Sequence, residues 1–310
     1  MEQRNLEVGG REWAYIKDRV LGRGKIYRSL DGTQYMHTGS VAEVGNEANF
    51  IEQLHGLNFP VPRILSKGEI GGINYYIEES VGDMSFGEKF RHEYTLHQKV
   101  TGETFEGFCN IACQFLEAQL NNPTDRRSEI REGVHLSNVL QENPDLRDKI
   151  FPCISMIETN LQQIPLVLTH GDFSPRNTFT KGVIDFEHRF IAPVGYDVLT
   201  GITIQRFWDF KDSDGETQLD FDVESGQVAD YFRKLDNIAE HYKIGQLSRF
   251  ADDFVVLKAI WSLAYEKQFA SQTGNNLKRN FRKAVLVYCM DQYMNGRPVD
   301  TSSFKKFGQQ

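Results

Sequence analysis

The chain has no stretch approaching the roughly 20 consecutive apolar residues that a membrane-spanning helix needs. Its opening segment, MEQRNLEVGGREWAYIKDR, holds no apolar core of the kind a secretory leader requires. Membrane insertion and export are therefore not expected, and cytoplasmic residence is. Cysteine is scarce: four residues, Cys109, Cys113, Cys153 and Cys289, none of them in a C-x-x-C pair. Zinc ribbons and disulfide scaffolds drop out, and reduced thiols packed in a core are expected instead. Positive charge is also in short supply, with 35 Lys and Arg against 43 Asp and Glu and a net charge of −8. Nucleic-acid binding rests on clustered Lys and Arg, so no nucleic acid is expected as a partner. The eight histidines are dispersed, which leaves no close ligand set for a metal-dependent hydrolase. Internal repeats and low-complexity segments are absent too.

What is present is an ordinary globular composition, 40% apolar and 25% charged over 310 residues, enough for two lobes with real cores. The first eighty residues read as strands around one helix. WAYIKD (13–18), GKIYRSLD (24–31), TQYMHTG (33–39) and INYYIEE (73–79) are short aromatic or β-branched runs punctuated by Gly and Asp. NEANFIEQLHGL carries Ala48, Phe50, Ile51 and Leu54 at helical spacing, and the prolines of FPVPRIL end that helix and begin an extended strand. Beyond Gly82 the pattern turns helical, over about 103–120, 146–162, 226–243, 248–266 and 276–294. The expected fold class is α+β, with a sheet-rich lobe over residues 1–80 joined through ESVGD to a mainly helical lobe over 81–310.

The chemistry concentrates between His170 and Glu187. His170-Gly171-Asp172 closes the apolar strand LVLT, Asn177 lies five residues after the aspartate, and Asp185 ends a second apolar strand eight residues later. Lys181-Gly182 reads as a two-residue turn that folds the intervening segment into a hairpin and draws the surroundings of Asn177 and Asp185 together. Phosphoryl transfer needs such an oxygen-rich site: a hard cation neutralises the phosphate oxygens while a carboxylate orients the attacking hydroxyl. Asp172 suits the second task, and Asn177 with Asp185 suits the first.

The set H-G-D-x-x-x-x-N followed by D-F resembles the aminoglycoside phosphotransferase and choline kinase-like family of the protein-kinase-like fold. NEANFIEQL with FPVPRIL, then YYIEESVGD, then GYDVL look like that family's successive landmarks. The resemblance covers about residues 20–205. It implies a nucleotide-binding first lobe, ATP or GTP as phosphate donor, Mg2+, and a small-molecule hydroxyl as acceptor. By matching position, Asp172 is the catalytic base, Asn177 and Asp185 the magnesium ligands, and Asp197 the acid that tethers the catalytic loop. Glu47 is the helix carboxylate that pairs with a strand lysine, and backbone groups of Glu78 and Ser80 meet the adenine.

The pattern departs from the family at the third strand, where TQYMHTGS supplies no lysine and His37 or Thr38 stands in its place. Imidazole is shorter and mostly neutral near pH 7, so it brings less charge to a phosphate. Two readings follow: Lys25 or another cation reaches in from the preceding loop, or the chain is a nucleotide-binding protein of weak or altered chemistry. Gly22 and Gly24 in LGRGK fit either a turn over phosphates or an ordinary hairpin. Only about ten residues separate Glu187 from GYDVL, too few for a segment that docks a peptide, which favours a small acceptor. The stretch 209–224 holds seven acidic residues against one lysine; it reads as a solvated loop or as a lure for a cationic acceptor. Phe207, Trp208 and Phe210 read as core or as one wall of the acceptor pocket. Aminoglycosides, choline-like amines, amino-acid alcohols and sugars all stay open as acceptors, and the sequence carries no signal of oligomeric state.

Overall fold

The structure, a computed structural model, describes residues 5–19, 24–208, 221–264, 266 and 276–308. The chain forms two compact units, Met1–Ser85 with Phe179–Ile184, and Phe86–Thr178 with Asp185–Gln310.

The first unit is an antiparallel sheet of β1 (Leu6–Val8), β2 (Arg11–Asp18), β3 (Lys25–Ser29), β4 (Gln34–Gly39), β5 (Ile64–Ile70) and β6 (Ile73–Glu79), in the order β1-β2-β3-β4-β6-β5. Side chains alternate between its faces. Val8, Trp13, Tyr27 and Met36 pack together on one face, with Tyr15, Tyr75 and Ile77 against them. The opposite face carries Ile26, His37 and Tyr76, which are register partners across β3, β4 and β6.

Between β2 and β3 the register runs from Tyr15 opposite Tyr27 to Lys17 opposite Ile26, so Ile16 is the extra residue of a β-bulge. A bulge flips the side-chain parity of everything beyond it. Without it Arg19 would share the apolar face of Trp13 and Tyr15. With it Arg19, whose amide donates to the Gly24 carbonyl at 2.8 Å, is delivered to the face of Ile26 and His37.

The helix of this unit, α1 (Val41–Gly56), begins earlier than the hydrophobic pattern from Asn46 predicts. Ser40 and Glu43 form a capping box there, each side chain bonding the other's backbone N–H. This satisfies donors that a helix start otherwise leaves orphaned. Val44, Ala48, Ile51 and Leu54 form the buried stripe, and Phe50 sits at its half-buried edge. The extended segment after the helix becomes ladder only at Ile64, past both prolines, because proline has no N–H to give a sheet.

The second unit is mainly helical: α2 (Phe86–His97), α3 (Gly102–Asn121), α4 (Ile130–Gly133), α5 (Leu136–Glu142), α6 (Arg147–Leu161), α7 (Tyr196–Gly201), α8 (Ser225–His241), α9 (Ala251–Leu263) and α10 (Leu277–Met294). All five helices expected from periodicity are present. The fourth starts late, because Leu247–Phe250 forms a 3-10 turn first. A core of aromatics holds this unit: Phe90 of α2, Phe105, Phe108 and Phe115 of α3, Tyr231 of α8, and Phe173 from the loop between Gly171 and Asn177. Short β7 (Leu166–Leu168) pairs antiparallel with β10 (Ile191–Pro193), Leu168 opposite Ile191. Between them in sequence, β8 (Thr178–Phe179) and β9 (Gly182–Val183) make the expected hairpin, whose residues from Phe179 on belong to the first unit. Its turn is Thr180-Lys181, one residue earlier than the Lys181-Gly182 signal suggests. Gly182 belongs to the strand, where a Cβ would come within 2.8 Å of the Pro60 carbonyl oxygen, so this glycine serves close packing and not the turn. All four cysteines are free thiols, three of them buried. Among the described residues no helix is long and apolar enough to cross a membrane.

Candidate active site

The loop leaving β7 is fixed by buried polar contacts. The Thr169 amide and hydroxyl both donate to the Phe190 carbonyl at 2.8 Å. Gly171 has φ +81°, and a Cβ there would lie 2.0 Å from the His188 carbonyl oxygen, so only glycine fits. Asp197, in the first turn of α7, is buried and accepts from the amides of His170 (2.8 Å) and Gly171 (3.0 Å) and from Gln119 Nε2 (2.9 Å). Burial pushes its pKa up to about 6, against the pull of these donors. At neutral pH it is therefore ionised, the form that can accept all three. His170 is fully buried, its ring 4.4 Å from that of Phe186. Its Nδ1 accepts the Asp172 amide at 3.2 Å, which leaves Nε2 to carry the proton. Phe173 is buried 5.1 Å from Phe115. The residues on both sides of Asp172 are thus anchored, and its carboxylate is held at a half-exposed position.

Asn177 donates its amide hydrogens to the Asp172 carbonyl (2.9 Å) and to Asp172 Oδ2 (3.2 Å). This spends the nitrogen of Asn177 and leaves Oδ1 as the atom that could meet a cation. Lys258 of α9 is buried, donates from Nζ to the Gly171 carbonyl at 2.5 Å, and stands 3.8 Å from Asp172 Oδ1. The face of Trp261 lies 3.5 Å from the same nitrogen. Burial lowers the Lys258 pKa to about 8, with the charges of Asp172 and Asp197 opposing. Asp172 and Asn177 line a cavity of about 90 Å³ with Ser174, Pro175, Arg176, Ile204, Gln205 and Phe221. Asp185, the residue after β9 and Ile184, is exposed and adopts φ +71°, a left-handed conformation that Asp tolerates better than most residues.

The donor set fits magnesium. The Asn177 amide oxygen and the Asp185 carboxylate are hard oxygen donors, and among the described residues no three His, Cys, Asp or Glu side chains gather into a metal cage. Magnesium typically takes one or two protein oxygens and completes its shell with water and phosphate.

In the first unit His37 and Glu47 have different partners. His37 Nε2 is 3.0 Å from Glu78 Oε1, and its ring stacks on Tyr76 with centroids 4.6 Å apart and planes within 4°. Glu47 is instead bound by Arg19, whose Nη2 donates to Oε2 at 2.6 Å. Burial works against the Arg19 charge, but Glu47 outweighs it and the guanidinium pKa is raised. Lys25 turns the other way, 5.8 Å over the Tyr15 ring. The Ser80 amide, expected beside the adenine, donates to the Thr33 carbonyl at 2.8 Å. Glu78 lies in the ladder between Tyr35 and Ile64, with its side chain on His37.

Lys258, Gln119 and Arg19 were not legible as site residues. A lone lysine inside the apolar run FVVLKAIW is the one sequence signal for Lys258. Phe207 is core, buried 5.1 Å from Phe304. The Trp208 side chain, Phe210 and the acidic residues at 209–220 lie outside the described residues, as does Gly22. Of the remaining acids, Asp222 pairs with Arg206 at 3.1 Å and Glu224 caps α8.

No curated protein matches the chain by sequence. Among the solved structures that share its fold are the following three. A choline/ethanolamine kinase family protein from Mesorhizobium loti aligns with TM-score 0.55 at 11% identity, over 94% of this chain and 92% of that one. A thermostable mutant of aminoglycoside phosphotransferase APH(4)-Ia aligns with TM-score 0.54 at 12% identity, over 91% and 94%. A Plasmodium vivax ethanolamine kinase aligns with TM-score 0.50 at 15% identity, over 91% and 83%. The family model described as phosphotransferase enzyme family (APH) matches residues 33–233, more than half of the sequence. With that fold and that match, the chain belongs to the phosphotransferase enzyme family.

Proposed function

We propose that the chain moves the γ-phosphate of ATP or GTP to a hydroxyl of a small molecule, with Asp172 as the general base. The observation that carries this reading is the Asp172 carboxylate, held by Asn177 Nδ2 at 3.2 Å, 3.8 Å from Lys258 Nζ, and lining a cavity. A base must be positioned before its proton affinity matters, and here both flanking residues and the side chain itself are pinned. Asp172 accepts the hydrogen bond of the acceptor hydroxyl and takes its proton as the oxygen attacks phosphorus. Asn177 and Asp185 hold Mg2+, which when bound neutralises charge on the phosphate oxygens. Lys258 supports the base by holding the Gly171 carbonyl and by placing a positive charge beside the carboxylate. Residues of the first unit, Glu47 among them, serve the nucleotide.

The test has two arms. A thermal-shift series with ATP and GTP, with and without magnesium, is expected to show a magnesium-dependent shift with one of them; a screen over amino alcohols, aminoglycosides and sugars then identifies the acceptor. Asp172→Asn is expected to stop turnover while nucleotide still binds. Turnover that survives this substitution removes Asp172 from the base's role, and a chain that binds neither nucleotide is not a kinase of this kind.

A further inference from the structure

A phosphate that is to be transferred needs a fixed positive charge beside it, and in kinases of this fold a strand lysine paired to a helix glutamate supplies it. The strand here carries His37, which is engaged by Glu78 and stacked on Tyr76. The cation on the helix glutamate is Arg19. Its Nη2 is held by Glu47, and its Nη1 is buried with no hydrogen-bond partner. A buried cationic N–H left unpaired is costly, and such a group in a native site calls for a ligand to complete it. The guanidinium fork is suited to this, because one nitrogen can hold a carboxylate while the other meets a phosphate oxygen in the same plane.

We propose that Arg19 replaces the missing strand lysine: Glu47 holds it through Nη2, and Nη1 binds the phosphates of the nucleotide donor. The inference rests on the nucleotide-dependent reading above and adds to it which residue supplies the charge. The bulge at Ile16 is what makes the replacement geometrically available. It sets Arg19 on the same face as Ile26 and His37, the face toward which Glu47 of α1 points. Among the described cations of this unit, Arg28 is committed to Asp83, Arg63 to Glu79 and Lys67 to Glu52, while Lys17, opposite Ile26, is exposed. Lys25, opposite Asp18 in the ladder, belongs to the other face.

The experiment is calorimetric titration of the full chain with magnesium and ATP, and separately with adenosine, which has the base and no phosphate; GTP and guanosine take their place if GTP is the donor. Arg19→Met is expected to weaken ATP binding about tenfold to a hundredfold while adenosine binds as before. His37→Lys added to Arg19→Met is expected to recover part of the loss, since position 37 shares the face. Unchanged ATP affinity in Arg19→Met overturns the assignment and leaves the kinase reading standing. Equal losses for ATP and adenosine also overturn it, because they mark a structural role. Wild-type protein that binds neither compound removes the kinase reading and this inference together.

Discussion

The two charged clusters of this molecule are built by opposite strategies. In the second unit the Asp172 loop is organised mainly by contacts to backbone: Asp197 accepts two consecutive amides, and Lys258 caps a carbonyl. In the first unit the cluster of Arg19, Glu47, His37 and Glu78 is organised by side chains pairing with side chains across strands and helix. Backbone-anchored geometry depends on a few residue types at set spacings and therefore reappears as a motif. Side-chain pairing depends only on charge and reach, so a different strand can supply the same cation. The loss of a lysine from one strand need not remove the positive charge from the face it served.

The sharpest way to break this contrast is at its catalytic end. Asp172→Asn is expected to lower kcat by about two to four orders of magnitude, without loss of nucleotide affinity in titration; a change of less than tenfold would put the base elsewhere. Next in size is Asp197→Ala, which strands the amides of His170 and Gly171 and the Gln119 side chain in a buried space. At about 1–3 kcal/mol for each unpaired group, urea unfolding is expected to show a loss of several kcal/mol. A small loss would mean that the loop is held by its aromatic packing.

Lys258→Met separates positioning from stability. The variant removes a buried charge, which itself disfavours folding, and leaves the Gly171 carbonyl without its donor. The two effects offset, so the melting temperature is expected to move little while kcat falls about tenfold to a hundredfold. A large drop in melting temperature at unchanged kcat would make Lys258 structural only.

The pH dependence runs in two directions. The Asp197 pKa is raised from 3.8 to about 6, so the folded chain binds this proton more tightly than the unfolded one. Its contribution to stability is complete below 3.8 and is lost as pH rises through 6. Activity follows the opposite course on that limb, because the ionised carboxylate is the form that accepts the loop amides. Loss of the Lys258 proton near pH 8 sets the upper limb. A kcat profile with limbs near these values is expected, and a profile flat between pH 5 and 9 would detach both groups from turnover. The smallest effect is expected for Asp222→Asn, which removes a partly exposed ion pair with Arg206. Such pairs contribute about 0–1 kcal/mol, and chemical unfolding midpoints should barely shift.

Much of the second unit could be read directly. The five long helices follow from apolar periodicity, and His170 to Asp185 announces its chemistry because Gly171, Asp172 and Asn177 each answer a local demand of the chain. Short helices such as α4, α5 and α7 lack a full amphipathic period and were not legible. Lys258 lies 86 residues from Asp172 in sequence, and nothing near Asp172 points to it. In the first unit the strands were legible by alternation, yet the start of α1 was missed where the Ser40–Glu43 cap, a local signal, was available. The hairpin turn was displaced because Gly182 is needed for close approach to Pro60 and not for positive φ.

By itself, then, the sequence determined the family and the division into a sheet-rich and a helical part, because the motifs and periodicities behind them rest on spacing within short segments. Only the tertiary structure decided that Arg19 and not His37 meets Glu47, that His37 turns to Glu78, and that Lys258 stands beside Asp172. The physical reason is parity and reach. One extra residue at Ile16 exchanges the two faces of a strand, and no pattern of residue types announces where a ladder will slip by one.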